Sequence, residues 1–274
     1  MPKIKVNEIE LYYEIHGGES HEHSGRLPLL LIAGLGFGAW SWYRQIPALA
    51  REFVTIAFDN RGAGQSDKPD TEYTIKMMAD DAAMLLRALK VERAHVLGHS
   101  MGGYIAQELA LGYPDLVASL VLVSSSFGGK NAVLMSAETA AQMRSELEAE
   151  DPEVALRKGL SLRFSDRFIA EHPDLVNEFI AVRRAHLPPR EAWLRQFVAC
   201  LTFETESRLP SLRIPTLIVT GDDDPIVPAE NSRRLAASIP GSQLRVLEGA
   251  RHLLFIEHAE AFNHIVIEFL KALN

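Results

Sequence analysis

The sequence predicts an α/β protein, a mostly parallel eight-stranded sheet with helices on both faces. Three observations predict it. Six short runs are mostly aliphatic or β-branched and do not alternate with polar residues as surface strands do, as in strands buried on both sides. Most of these runs lead through a Gly- or Asp-containing turn into a helical segment, which is βα alternation. The 274 residues are 47% hydrophobic and 23% charged, enough for a large core and typical of a soluble globular chain.

The elements follow in order. Lys3–Val6 and residues 10–15, separated by Asn7-Glu8, read as an antiparallel hairpin at a sheet edge. The buried runs are 29–33, 54–58, 94–97, 120–123, 216–220 and 244–247, and helices are expected over 75–89, 104–111, 229–238 and 259–273. In the last helix Ala261, Phe262, Ile265, Phe269 and Leu273 are expected to form one buried face.

Between 124 and 215 the alternation stops, for a stretch far too long to be a crossover loop. Its composition is helical. Ser136 opens an Ala/Glu/Met/Arg stretch, Asp151-Pro152 and His172-Pro173 put Pro where a first turn accepts it, and Pro188-Pro189 precedes another helix. There Trp193, Phe197 and Leu201 recur every four residues, a stripe whose simplest use is packing and whose alternative use is lining a pocket. Glu146, Glu148, Glu150, Asp151 and Glu153 read as a solvated face. His21-Glu22-His23 reads as an exposed loop, because no third metal ligand lies nearby.

Charge and cysteine usage exclude several classes. The net charge is −8 and the basic residues form no run or stripe, so nucleic acid is not an expected partner. No apolar stretch approaches the ~18 residues of a membrane span, and Met1-Pro2-Lys3-Ile4-Lys5-Val6 alternates where a secretory segment would be continuously apolar. A cytoplasmic protein is expected. The single Cys200 provides neither an intrachain disulfide nor a structural zinc site.

Gly98-His99-Ser100-Met101-Gly102 fits G-x-S-x-G between an expected strand and an expected helix, the context of a nucleophile elbow. A serine hydroxyl needs a base and an orienting acid. Asp222, Asp223 and Asp224 emerge where the run 216–220 ends, and His252 follows the run 244–247. The chain order is serine, acid, histidine.

Two further segments carry a resemblance. Asp59-Asn60-Arg61-Gly62-Ala63-Gly64-Gln65-Ser66 matches D-x-R-G-x-G-x-S, and Gly221-Asp222-Asp223-Asp224-Pro225-Ile226-Val227-Pro228 matches G-x-x-D-x-x-V-P. With the serine motif, they make the chain similar to the α/β-hydrolase family over nearly its whole length, in particular to small capped esterases, enol-lactonases and carbon–carbon bond hydrolases. The resemblance implies Ser100 as nucleophile, Asp224 as triad acid and His252 as base, with no cofactor and no metal. It also implies a core domain of 1–124 and 215–274 and a helical cap of 125–214, with Arg61 in a structural role. Ala33-Gly34-Leu35-Gly36 stands where relatives often have His-Gly, so the oxyanion hole is expected from the Leu35 and Met101 N–H groups. Arg251 stands where Gly commonly precedes the histidine.

The expected activity is carboxylic ester cleavage through an acyl-enzyme. Serine at the elbow argues against dehalogenase and epoxide hydrolase relatives, which place Asp there. Phe37, Trp40, Phe127, Trp193 and Phe197 are candidate walls of an apolar acyl pocket. Arg183, Arg184 and Arg195 are the alternative, as receivers of a substrate carboxylate in an enol-lactonase or carbon–carbon hydrolase. A small-molecule receptor on the same fold is the reading of a different class. The expected partner is a small ester or lactone, and the oligomeric state is left open, a homo-oligomer included.

Overall fold

The computed structural model describes residues 2–17 and 25–273. His21-Glu22-His23 lies outside the described residues. Eight strands form one sheet: β1 (Lys3–Val6), β2 (Ile9–His16), β3 (Leu29–Ile32), β4 (Thr55–Phe58), β5 (Ala94–His99), β6 (Val117–Val123), β7 (Thr216–Gly221) and β8 (Gln243–Leu247). Their spatial order is β1-β2-β4-β3-β5-β6-β7-β8. The β1–β2 and β2–β4 pairs are antiparallel and every later pair is parallel. Asn7 and Glu8 both have positive φ, as a two-residue hairpin turn requires.

The helices are α1 (Ile46–Leu49), α2 (Ile75–Ala88), α3 (Met101–Gly112), α4 (Ala137–Leu147), α5 (Pro152–Lys158), α6 (Leu160–Arg163), α7 (Asp166–Glu171), α8 (Pro173–Ala185), α9 (Arg190–Leu201), α10 (Glu230–Ser238), α11 (Leu254–Glu257) and α12 (Ala259–Lys271). Alternation along each central strand feeds two cores. Leu30 and Ile32 join the core of α2 and α3, while Leu29 and Leu31 join that of α11 and α12.

Two expectations need correction. The run 244–247 is not buried: β8 is an edge strand with one neighbour, and Val246 is 41% exposed. In α12 the buried face is Phe262, Val266, Phe269 and Leu270, with Ala261 and Leu273 exposed. Twelve residues at about 100° each leave Ala261 and Leu273 about 120° apart around the axis, so they cannot share a face.

Helices α4 to α9 all lie between β6 and β7. The predicted start signals operate: Ser136 accepts from Thr139 N at the head of α4, and Asp151 accepts from Glu153 and Val154 N at the head of α5. The two ends of this segment are tied together, since Gly129 N donates to Phe203 O (3.0 Å) and Thr205 N to Phe127 O (2.9 Å). Of its apolar residues, Leu156, Phe164 and Phe179 join the same core as Trp42 and Phe255, while Ala199 and Phe203 join that of α2 and α3. The acidic run is not wholly solvated: Glu146 is largely buried against Arg163, 2.8 Å away.

Candidate active site

Ser100 is the single residue between β5 and α3, at φ 54° and ψ −119°. For a non-glycine residue this costs on the order of 1–3 kcal/mol and persists only where neighbours over-determine it. They do so here. Ser100 N donates to Val123 O (2.9 Å), and Ser100 O accepts from Gly103 N (2.8 Å) and Ser125 Oγ (3.0 Å). The flanking glycines are required by close approach: a Cβ at Gly98 would strike the Gly102 carbonyl, and one at Gly102 would strike Ile32 O. The turn therefore presents the serine at the N-terminus of α3, where oriented N–H groups favour negative charge.

The loop after β7 sorts its three aspartates. Asp224 is buried; its Oδ1 accepts from Ile226 N and Val227 N at 2.9 Å each, and its Oδ2 lies 2.8 Å from His252 Nδ1. An ionised carboxylate only accepts, so Nδ1 carries the proton and Nε2 is left able to receive one. Asp222 accepts from Gly249 N (2.6 Å), and Asp223 pairs with Arg251 (2.8 Å). Neither caps α10, whose cap position is held by Ala229 without a side-chain bond. Arg251 also reaches Asp166, Ser161 O and Phe164 O, so it straps the His252 loop to the helical segment.

His99 supports the imidazole from behind. Its Nε2 donates to His252 O (3.1 Å) and its ring lies 4.8 Å from the His252 ring. Burial, with His252 adding to it, holds His99 well below the ordinary histidine range. It is therefore a neutral donor.

Opposite the serine, residues 34–37 form a turn closed by Phe37 N donating to Gly34 O (3.0 Å). Gly36 has φ 68° whereas Leu35 does not have positive φ, the pattern of a type II turn. The backbone N–H groups of Leu35 and Met101 make no hydrogen bond among the described residues. They are two unspent donors beside Ser100.

Two cavities meet at Ser100, sharing Leu35, Met143 and Ile226 in their walls. The larger, about 230 Å³, is mainly apolar and includes Tyr104, Met135, Phe197 and Leu201. The smaller, about 80 Å³, contains His252, Phe37, Trp193, Arg163 and Arg183. No hydrogen bond joins the Ser100 side chain to His252 among the described residues; the two groups face the small cavity together, a contact of the kind that tightens with substrate in place.

Of the five aromatic candidates, Phe37, Trp193 and Phe197 line these cavities and two do not. Phe127 is packed in the α2–α3 core, because the strapped chain ends at 127–129 and 203–205 draw it inward. Trp40 stacks between Phe37 and His186, with centroids 5.2 and 5.3 Å away, and stands behind the wall. The buried side of α9 is Ala192, Gln196 and Ala199, and Leu201 is 68% exposed, so the Trp193-Phe197-Leu201 stripe faces the cavities and their mouth.

The arginines divide similarly. Arg184 pairs with Glu153 and Arg195 with Asp70 at the surface. Arg183 is 7% exposed, lies 4.4 Å over the Phe37 ring, donates to Gly36 O and makes no ion pair among the described residues. Burial, with nearby Arg163, pushes it down to about 9, which leaves it cationic at neutral pH. Sequence reasoning missed Met143, Arg163 and Gln196; the one signal was Gln196 as a polar residue between Ala192 and Ala199 on the inward side of α9. No cluster of three His, Cys, Asp or Glu suited to a metal occurs among the described residues, and no helix is long and apolar enough to cross a membrane.

Comparison with known proteins agrees with this architecture. Residues 28–259 match the family described as alpha/beta hydrolase fold. The "Putative carbamate hydrolase RutD" of Azorhizobium caulinodans is 34% identical over 269 residues, 98% of each chain. Among solved structures, the enol-lactonase from Burkholderia xenovorans LB400 superposes with a TM-score of 0.85 at 26% identity, covering 98% of this chain and all of the other. A meta-cleavage product hydrolase, CumD of Pseudomonas fluorescens IP01, gives 0.83 at 26% identity over 100% and 98%. The chain belongs to the α/β-hydrolase family, and it is a hydrolase by kinship.

Proposed function

We propose that this hydrolase cleaves carboxylic esters through an acyl-enzyme, with Ser100 as nucleophile, His252 as general base and then acid, Asp224 as its orienting acid, and the Leu35 and Met101 N–H groups as the oxyanion hole. The observation that carries this reading is the shared cavity of a strained, half-buried serine and an imidazole whose Nδ1 is fixed by a buried carboxylate. Ser100 Oγ attacks the carbonyl carbon as His252 Nε2 takes its proton; the imidazolium then protonates the departing alcohol, and water repeats the cycle. Segment 125–214 acts as a cap over the site, the remainder as the catalytic core, and composition favours the cytoplasm.

The substrate class has three readings. The apolar walls of the larger cavity favour an aliphatic or aryl acyl group. Arg183, buried in the smaller cavity and in no ion pair among the described residues, favours a substrate with its own carboxylate, as in an enol-lactone. The RutD relative's name adds carbamates.

Turnover on a p-nitrophenyl ester series beside an enol-lactone and an aryl carbamate ranks these classes, and sustained turnover excludes a pure receptor. Fluorophosphonate labelling with mass spectrometry should find the adduct on Ser100, and Ser100→Ala should lose about 10⁶ in turnover, as when the nucleophile is removed elsewhere. An adduct on another residue, or an active alanine variant, overturns the assignment.

A further inference from the structure

We infer that Gln196, on the helical segment, is a positioning residue for the oxyanion hole: its side-chain amide fixes the direction of the peptide that follows the Leu35 donor. The inference rests on the serine-hydrolase reading above. Type I and type II turns differ by a half-rotation of the central peptide, here Leu35–Gly36, which bears Leu35 O and Gly36 N; the Leu35 N–H belongs to the preceding peptide and is displaced only as the turn re-forms around such a flip. In the observed turn Gly36 N donates to Gln196 Oε1 at 2.9 Å. An amide can ordinarily rotate and offer its NH₂ instead, which would stabilise the flipped turn equally well. Here it cannot. Gln196 Nε2 donates to Arg61 O at 2.7 Å, a carbonyl that only accepts, so Oε1 must face Gly36.

The far end of this link is rigid. The Arg61 guanidinium is held by Asp81 of α2 through two bonds of 2.6 and 2.7 Å, both groups being buried. The path runs from Asp81 through Arg61 and Gln196 to the turn, joining core, helical segment and donor. Gln196 is fully buried, so an unpaired Gly36 N–H would find no easy substitute. Packing reinforces the choice: a Cβ at Gly36 would lie 2.7 Å from Trp193 Cδ1, so α9 sits directly on the turn.

The test compares Gln196→Met, which keeps the shape and removes both bonds, with Gln196→Glu, which keeps the acceptor facing Gly36. The readouts are kcat, KM, and the Ki of an aryl trifluoromethyl ketone, which forms a tetrahedral adduct with a serine nucleophile. A donor misplaced by about 1 Å costs up to about 10²-fold. Gln196→Met should lower kcat by about 10- to 100-fold with KM little changed, and raise the ketone Ki by a similar factor. Gln196→Glu should fall between it and the wild type. If kcat and Ki in folded Gln196→Met stay within twofold of wild type while Tm falls, Gln196 is only structural and the inference fails. Should Gln196→Met not fold, Gln196→Ser, too short to reach Gly36 N, takes its place: kcat and Ki within twofold of wild type overturn the inference, and a parallel change in both supports it. Wild type without turnover or Ser100 adduct marks failure of the underlying reading instead.

Discussion

The strand-end loops and the helical segment both contribute walls to the same cavities, but they are built by different means. The loops hold Ser100, Asp224 and His252 through backbone demands: a positive φ, glycine approaches that admit no Cβ, and N–H groups aimed at a carboxylate. The helical segment contributes Arg183, Trp193, Gln196 and Phe197 from ordinary positions on α8 and α9. A backbone demand restricts which residue type fits, whereas a helix position accepts nearly any. The two halves of one site thus differ in how strongly the chain must advertise them.

The largest effect that would break this comparison lies in the loops. Asn in place of a triad Asp preserves shape but favours the wrong imidazole tautomer, an effect of about 10⁴ in a related triad. Asp224→Asn should therefore lose several orders of magnitude in kcat. Asp222→Asn and Asp223→Asn should stay within a few-fold, because they serve Gly249 N and Arg251. A larger loss at either neighbour, measured on the same ester, would mean that the loop's backbone does not select the acid.

That loop was legible from the spacing G-x-x-D-x-x-V-P, and the serine turn from G-x-S-x-G, because both patterns encode sterics. The strands were legible because continuous apolar runs have few other uses. The edge strand β8 was misread since Leu244, Val246 and Leu247 resemble a buried run when Gln243 and Arg245 are discounted. Phe127 was misassigned to the pocket because no local pattern reveals that residues 127 and 205 are hydrogen bonded across 78 positions. Arg183 was one of three equivalent arginines in sequence, and only tertiary placement separates it from Arg184 and Arg195.

A smaller effect sharpens the other half. Replacing Arg183 with Met removes the cation and keeps much of the length over Phe37 and Trp40. A hydrogen bond to a charged group contributes about 1.5–3 kcal/mol, or roughly 10- to 150-fold. Arg183→Met should reduce kcat/KM for a monoester of a dicarboxylic acid by about that factor relative to the neutral ester of matched length. Both rates will also bear the loss of the bond to Gly36 O, so the ratio is the measurement. Equal losses on both substrates would reduce Arg183 to a support of the turn and remove the acid-bearing substrate class.

The smallest effect concerns stability and returns to the loops. His99 is held neutral by burial beneath His252 and Gly34, with Phe255 against its ring at 4.7 Å. Its folded form resists protonation, while in the unfolded chain it titrates near 6.5. Below that pH the unfolded state binds the extra proton, so stability falls as pH falls, and above it His99 contributes no slope. The slope from one such group is at most about 1.4 kcal/mol per pH unit. Urea unfolding at pH 7.5, 6.5 and 5.5 should show a decline between the last two that is flatter in His99→Gln, whose amide can still donate toward His252 O. Parallel profiles for the two proteins would assign the acid sensitivity to other groups and leave His99 as a packing residue under the imidazole.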